Sequence, residues 1–108
     1  MNNENNCIDA CLACVSACEK CVTDCLKVGN KECVSLCRDC ADICALCARL
    51  EARGSRYSAE LCALCSKVCS DCSEECGKHA SHHESCKECA EACKKCAEIC
   101  AEMAGIMA

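Results

Sequence analysis

Cysteine sets the terms for this chain. Twenty-one of its 108 residues are cysteine, and they fall in four runs. The first run is Cys7, Cys11, Cys14, Cys18, Cys21 and Cys25, and the second is Cys33, Cys37, Cys40, Cys44 and Cys47. The third is Cys62, Cys65, Cys69, Cys72 and Cys76, and the fourth is Cys86, Cys89, Cys93, Cys96 and Cys100. Within every run the steps alternate between three and four residues. That is the a/d spacing of a heptad, which puts all the cysteines of a run on one face of a helix. Helix bundles usually carry Leu or Ile there, so the interior stripe itself becomes the candidate functional site.

The chain divides into four repeats of about 25 residues, and proline, which would break a helix, is absent. The spacing predicts a first helix over 5–28, with Gly29 suited to the position after its end. Asn30 can then cap a second helix running to about Arg53, before Gly54. Ser58 is the candidate cap of a third helix, which runs to about Cys76 and meets Gly77. Ser81 with Glu84 forms a capping-box pattern for a fourth helix ending near Gly105. Short connections make neighbouring helices antiparallel. The expected fold is therefore all-α, an antiparallel up-down-up-down four-helix bundle with a cysteine-lined core, and residues 1–108 form one domain. A weaker apolar stripe (Leu36, Ile43, Leu50, Leu61, Val68, Ile99 and Ile106) either seals the helix seams or forms a self-association face.

A cysteine content this high commonly marks a secreted disulfide scaffold. Here the count is odd, the cysteines follow a helical period, and the N-terminal MNNENNCIDACLAC has neither the basic nor the apolar region of a secretory signal. The expectation is a cytoplasmic protein with reduced thiols, in which this pattern favours metal over disulfides. The formal charge is −5, with Lys and Arg interspersed among Asp and Glu, and Tyr57 is the single aromatic residue. Nothing in that pattern suggests a nucleic-acid partner, and the apolar runs are too short to span a membrane. No nucleophile–base pair, phosphate-binding glycine loop or facing carboxylate pair points to an enzyme. Asp24, Asp39, Asp71 and Glu75 lie off the cysteine stripe and read as surface charges.

Thiolates select soft ions: Cu(I), Zn(II) and iron–sulfur clusters. The loop-grouped cysteines of iron–sulfur sites are absent. Zinc prefers four ligands at a tetrahedral point, which a continuous helical tube of thiols matches poorly. Cu(I) accepts two or three sulfurs and tolerates bridging. Pairs four apart, such as Cys14/Cys18 and Cys40/Cys44, can clasp it. Two sulfurs per copper and two coppers per sulfur give a capacity of roughly 20 Cu(I) per chain. The stripe continues into His79 and Met103 and then Met107, and stepping back from Cys86 gives His82. His79, His82 and His83 share one end of the expected bundle and form a candidate copper entrance, the alternative being solvated loop residues. Met1, Met103 and Met107 fall at the other end, where they either ligate weakly or plug the core.

These features, together with the segment HASHHESCKECAEACKKCAEIC, resemble the bacterial copper storage proteins over essentially the whole chain, and their cytosolic branch in particular. The resemblance implies a homotetramer of four-helix bundles storing Cu(I) on inward-facing cysteines, with His79, His82 and His83 as entry or outermost sites. The copper donor and acceptor proteins stay open. Two other functions compete with copper storage and detoxification: a zinc buffer resembling metallothionein in role, and a thiol redox reservoir.

Overall fold

A computed structural model describes residues 3–105, with the side chains of residues 3 and 4 undescribed. Met1, Ile106 and Met107 lie outside that range. Four helices follow in order: α1 (Asn3–Val28), α2 (Lys31–Ala52), α3 (Ser58–Gly77) and α4 (Glu84–Ala104). The described residues contain no strand. Each helix packs against its two neighbours, α1 on α2, α2 on α3, α3 on α4 and α4 back on α1, closing a ring. Cys14 meets Cys40, Cys44 meets Cys65, and Cys7 meets Cys100, so adjacent helices run antiparallel as expected. The body measures 40 × 23 × 21 Å. None of the described helices is long and apolar enough to cross a membrane.

The stop of α1 and the start of α2 work as the sequence predicts. Gly29 takes φ 75° after α1, a left-handed conformation that costs L-residues energy but not glycine. The chain then reverses into Asn30, whose side chain accepts a hydrogen bond from the Cys33 N–H at 3.2 Å. That bond satisfies one of the otherwise orphaned amides of the first turn.

The other two helix starts differ from the expected caps. Ser58 is the first residue of α3 rather than its cap, which is Tyr57. Ser55 explains the shift: its Oγ accepts from the Tyr57 N–H at 3.1 Å and its carbonyl accepts from the Ser58 N–H at 3.1 Å, so the turn is tied one residue early. The Ser58 hydroxyl is then buried with no hydrogen-bond partner. The cap of α4 is His83, in extended conformation, and the Ser81/Glu84 capping box does not form. Gly77 does not end α3 in the left-handed way; the chain keeps turning, with His79 N–H bonded to the Cys76 carbonyl and His83 N–H to the His79 carbonyl. Only at His83 does it straighten, leaving Ser81 exposed two residues before the actual cap.

The core consists of the cysteines and a few alanines. Every cysteine is buried, and Ala10, Ala41, Ala48, Ala97 and Val22 fill the seams between stripes. Leu36, Ile43, Leu61, Val68 and Ile99 pack half-buried against this core, so these members of the second apolar stripe flank it. Serine contributes to one seam: Ser66 Oγ donates to the Ala97 carbonyl and Ser73 Oγ to the Ala90 carbonyl, each at 2.8 Å. Small residues at 90 and 97 let α3 approach closely enough for both bonds.

Gly29→Ala tests the reversal between α1 and α2. An added Cβ meets nothing within 4 Å, so any cost comes from φ 75° alone. The expected loss is about 1 kcal/mol, read as a lower denaturation midpoint of the apo protein with an unchanged slope in urea.

Candidate metal centre

The heptad repeat brings each cysteine stripe to the bundle axis, where the short side chains leave the sulfurs as the only filling. Along single helices, pairs four apart lie at 3.8–4.0 Å, including Cys14–Cys18, Cys21–Cys25, Cys40–Cys44, Cys89–Cys93 and Cys96–Cys100. Between helices the sulfurs come closer still. Cys14–Cys93 is 3.4 Å, Cys44–Cys69 is 3.5 Å, and Cys40–Cys69 and Cys21–Cys86 are 3.6 Å. Contact also crosses the ring from α2 to α4, as Cys37–Cys89 at 3.9 Å, Cys40–Cys93 at 3.8 Å and Cys44–Cys96 at 3.9 Å. The interior is one continuous column of sulfur.

That column resolves into overlapping groups of four. Cys7, Cys47, Cys62 and Cys100, one from each helix, have all their sulfurs within 4.8 Å of one another. Cys11, Cys44, Cys65 and Cys96 form another such group, and Cys14, Cys18, Cys40 and Cys93 a third. Sequence spacing exposes only the pairs on one helix, while the fold assembles quartets across four.

All the cysteines are free thiols. At the end nearest the histidines, Cys25, Cys33 and Cys86 are pushed above the ordinary thiol value of 9.0, with burial the largest cause; neighbouring sulfurs add to it at Cys33 and Cys86, while at Cys25 the Cys33 sulfur opposes it. A low-dielectric interior disfavours the thiolate unless a cation accompanies it. A soft cation supplies the missing positive charge, so metal loading and proton loss are coupled.

The two ends of the column differ. At one end His79 is half-buried, its Nε2 lying 3.0 Å from Glu75 Oε2 and 2.9 Å from Asn30 Nδ2. His83 is half-buried at the cap of α4, and His82 is exposed. The three histidines share this end, with His79 tethered by Glu75. Cys25 also lines a groove of about 340 Å³ here, with Leu26, Gly29, Asn30, Lys31, Val34 and Ser35. Met103 packs half-buried against the core at the other end; Met1 and Met107 lie outside the described residues.

Two carboxylates belong to the site although the sequence reading placed neither there. Glu75, read as a surface charge, is only 8% exposed. The His79 ring beside it holds its carboxyl below the usual range against the opposing effect of burial, with Lys78 Nζ at 3.3 Å adding to the pull. Glu51 is 5% exposed and accepts from Cys62 Sγ at 3.4 Å, at the Met103 end. A signal for Glu51 was present: one more four-residue step past Cys47 reaches it. Asp39 and Asp71 are exposed, as expected, and Asp24 partly so.

A match to the family model described as copper storage protein covers residues 1–105. The chain belongs to the copper storage protein family. Among solved structures it is similar to the Cu(I)-bound copper storage protein BsCsp3, with 43% identity over 95% of this chain and 99% of that one and a TM-score of 0.89. Apo-Csp3 from Bacillus subtilis is 47% identical over 91% of this chain and 95% of that one, with a TM-score of 0.85. A cytosolic copper storage protein from Streptomyces lividans is 35% identical over 95% of this chain and 92% of that one, with a TM-score of 0.90. A search of curated proteins finds no match.

Cys25, Cys33 and Cys86, raised mainly by burial, make one definite contribution to the pH response of the apo protein. Above pH 9.0 an unfolded chain loses thiol protons that folded Cys25, Cys33 and Cys86 retain. The unfolded state then binds fewer protons, so stability falls as pH rises. Thermal unfolding of the reduced apo protein is expected to show a level midpoint below about pH 9 and a decline above it.

Proposed function

We propose that the protein is a cytosolic store for Cu(I), which it takes up on the thiolates of its cysteine column and so withholds from adventitious chemistry. The carrying observation is that every cysteine is buried, free and on the bundle axis, with sulfurs in contact along and between helices. Residues 1–108 act as one metal-binding domain, and the role is storage rather than catalysis. The similar structures include a Cu(I)-bound copper storage protein and a cytosolic one loaded with copper, which supports this reading.

The chemistry follows from charge and softness. A Cu(I) ion with one thiolate is neutral, so a column filled at one copper per sulfur carries no net charge in its low-dielectric interior. Bridging thiolates let each copper take two or three sulfurs without a fixed tetrahedral point. Contacts of 3.4–4.0 Å, both along and between helices, offer many such arrangements with little rearrangement of the backbone. The ligands we assign are all the cysteines named above, from Cys7 to Cys100. His79, His82 and His83 serve as outer ligands at the entrance, where an incoming ion is passed to Cys25 and Cys86. Loading proceeds by replacing each thiol proton with copper.

The homotetramer implied by the family resemblance is part of the same proposal. Exposed Leu12, Leu26, Val28, Leu46 and Leu64 supply apolar surface on the bundle exterior that association would cover.

Anaerobic titration of the reduced apo protein with Cu(I), against a strong chromophoric chelator, is expected to withhold roughly 20 ions per chain. About one proton should leave for each copper bound. Retention of only a few weakly held ions, or loading without proton release, contradicts the proposal. Replacing His79 and His83 together by alanine is expected to slow loading several-fold while leaving most of the capacity intact, measured by stopped-flow mixing with Cu(I). An equal loss of rate and capacity would place the histidines in the store rather than at its entrance.

A further inference from the structure

The quartets have a geometry that copper storage does not require. In the set Cys7, Cys47, Cys62 and Cys100 each helix gives one sulfur, and the set Cys11, Cys44, Cys65 and Cys96 does the same without sharing a residue. Five of the twelve edges are 3.6 Å for Cys47–Cys62, 3.9 Å for Cys7–Cys100, 3.7 Å for Cys44–Cys65, 3.7 Å for Cys96–Cys11 and 3.9 Å for Cys44–Cys96, and none exceeds 4.8 Å. A tetrahedral ion with metal–sulfur bonds of about 2.3 Å needs sulfurs about 3.8 Å apart. The apo thiols thus stand within about 1 Å of the edges that a tetrahedral thiolate site needs.

We propose that the core has a second binding mode, in which a soft divalent cation, Zn(II) or Cd(II), occupies a layer of four thiolates drawn from all four helices. This rests on the reading of the column as a thiolate store. Each site forms by M²⁺ + 4 RSH → [M(SR)₄]²⁻ + 4 H⁺, with no oxidant or reductant involved. Four thiols per ion limit the 21 cysteines to about five ions, roughly a quarter of the copper capacity.

Charge separates the two modes. Each divalent layer leaves a double negative charge in the interior, and neighbouring layers repel one another through a medium of low dielectric. Successive divalent ions therefore bind more weakly, and the titration ends at or below the geometric limit. Cu(I) leaves a neutral layer and bridges from one layer to the next, so it displaces the divalent ion. The column thus prefers copper through net charge rather than shape, and a divalent ion holds the thiolates until copper arrives.

The test is an anaerobic titration of the reduced full-length apo protein with Co(II), the spectroscopic probe for this geometry, repeated with Cd(II). Tetrahedral Co(II)–thiolate absorption is expected to saturate at about two to five ions per chain, with about four protons released per ion. Cd(II) should show sulfur-to-metal charge transfer with the same endpoint, and added Cu(I) should bleach both signals. Absence of the tetrahedral bands, saturation beyond one ion per four thiols, or failure of Cu(I) to displace the ion overturns the proposal. A parallel Cu(I) titration of the same preparation separates the two readings. Full copper capacity without divalent binding removes this inference alone, whereas loss of copper capacity as well removes the thiolate store beneath it.

Discussion

Sulfur meets sulfur across the axis of a four-helix ring, and the rest of the molecule follows from that contact. Cysteine is short, so four facing stripes pack to distances of 3.4–4.0 Å only if the helices close in on one another. Alanine in the seams at 10, 41, 48 and 97 permits that approach. The Ser66 and Ser73 hydroxyls reach carbonyls of α4 because the α3–α4 seam is narrow. Half-buried Leu36, Ile43, Leu61 and Val68 then shield the column from the side. A free cysteine behaves as a small apolar residue, so the same side chains that close the apo core become ligands once their protons leave.

Charge decides what such a core can hold. Burial resists ionisation of a thiol, and it is the largest cause of the raised values of Cys25, Cys33 and Cys86. A cation that enters must offset every thiolate it creates. Monovalent copper does so at one ion per sulfur, while a divalent ion in a tetrathiolate layer leaves two charges uncompensated. Geometry admits both; electrostatics ranks them. The polar groups sit where this constraint relaxes, at the two ends of the column: Glu75 with His79 at one, and Glu51 with Cys62 at the other.

Much was legible from the cysteine spacing. The alternation of three and four residues specifies helices, their inward faces and the ligand inventory, because an α-helix returns to the same face every seven residues. Gly29 and Asn30 announce the first reversal because a left-handed residue and a side-chain cap have few substitutes. The same reasoning misplaced the caps of α3 and α4. Ser55 competes successfully with Ser58 for the turn, and the chain past Gly77 continues to coil until His83. Such local contests between neighbouring polar groups turn on backbone geometry that a residue pattern does not contain.

By itself, then, the sequence determined which residues face inward and that they are thiols, since helical periodicity is a property of one segment at a time. Only the tertiary structure decided which thiols share a site. The quartet Cys7, Cys47, Cys62 and Cys100 draws on both ends of the chain, and its close spacing arises from the register of four antiparallel helices. The same register buried Glu51, one step beyond Cys47, and Glu75, beside Cys76, at opposite ends, where Cys62 and His79 partner them. Local spacing fixes the face of a helix; the partners on that face depend on how the helices slide against one another.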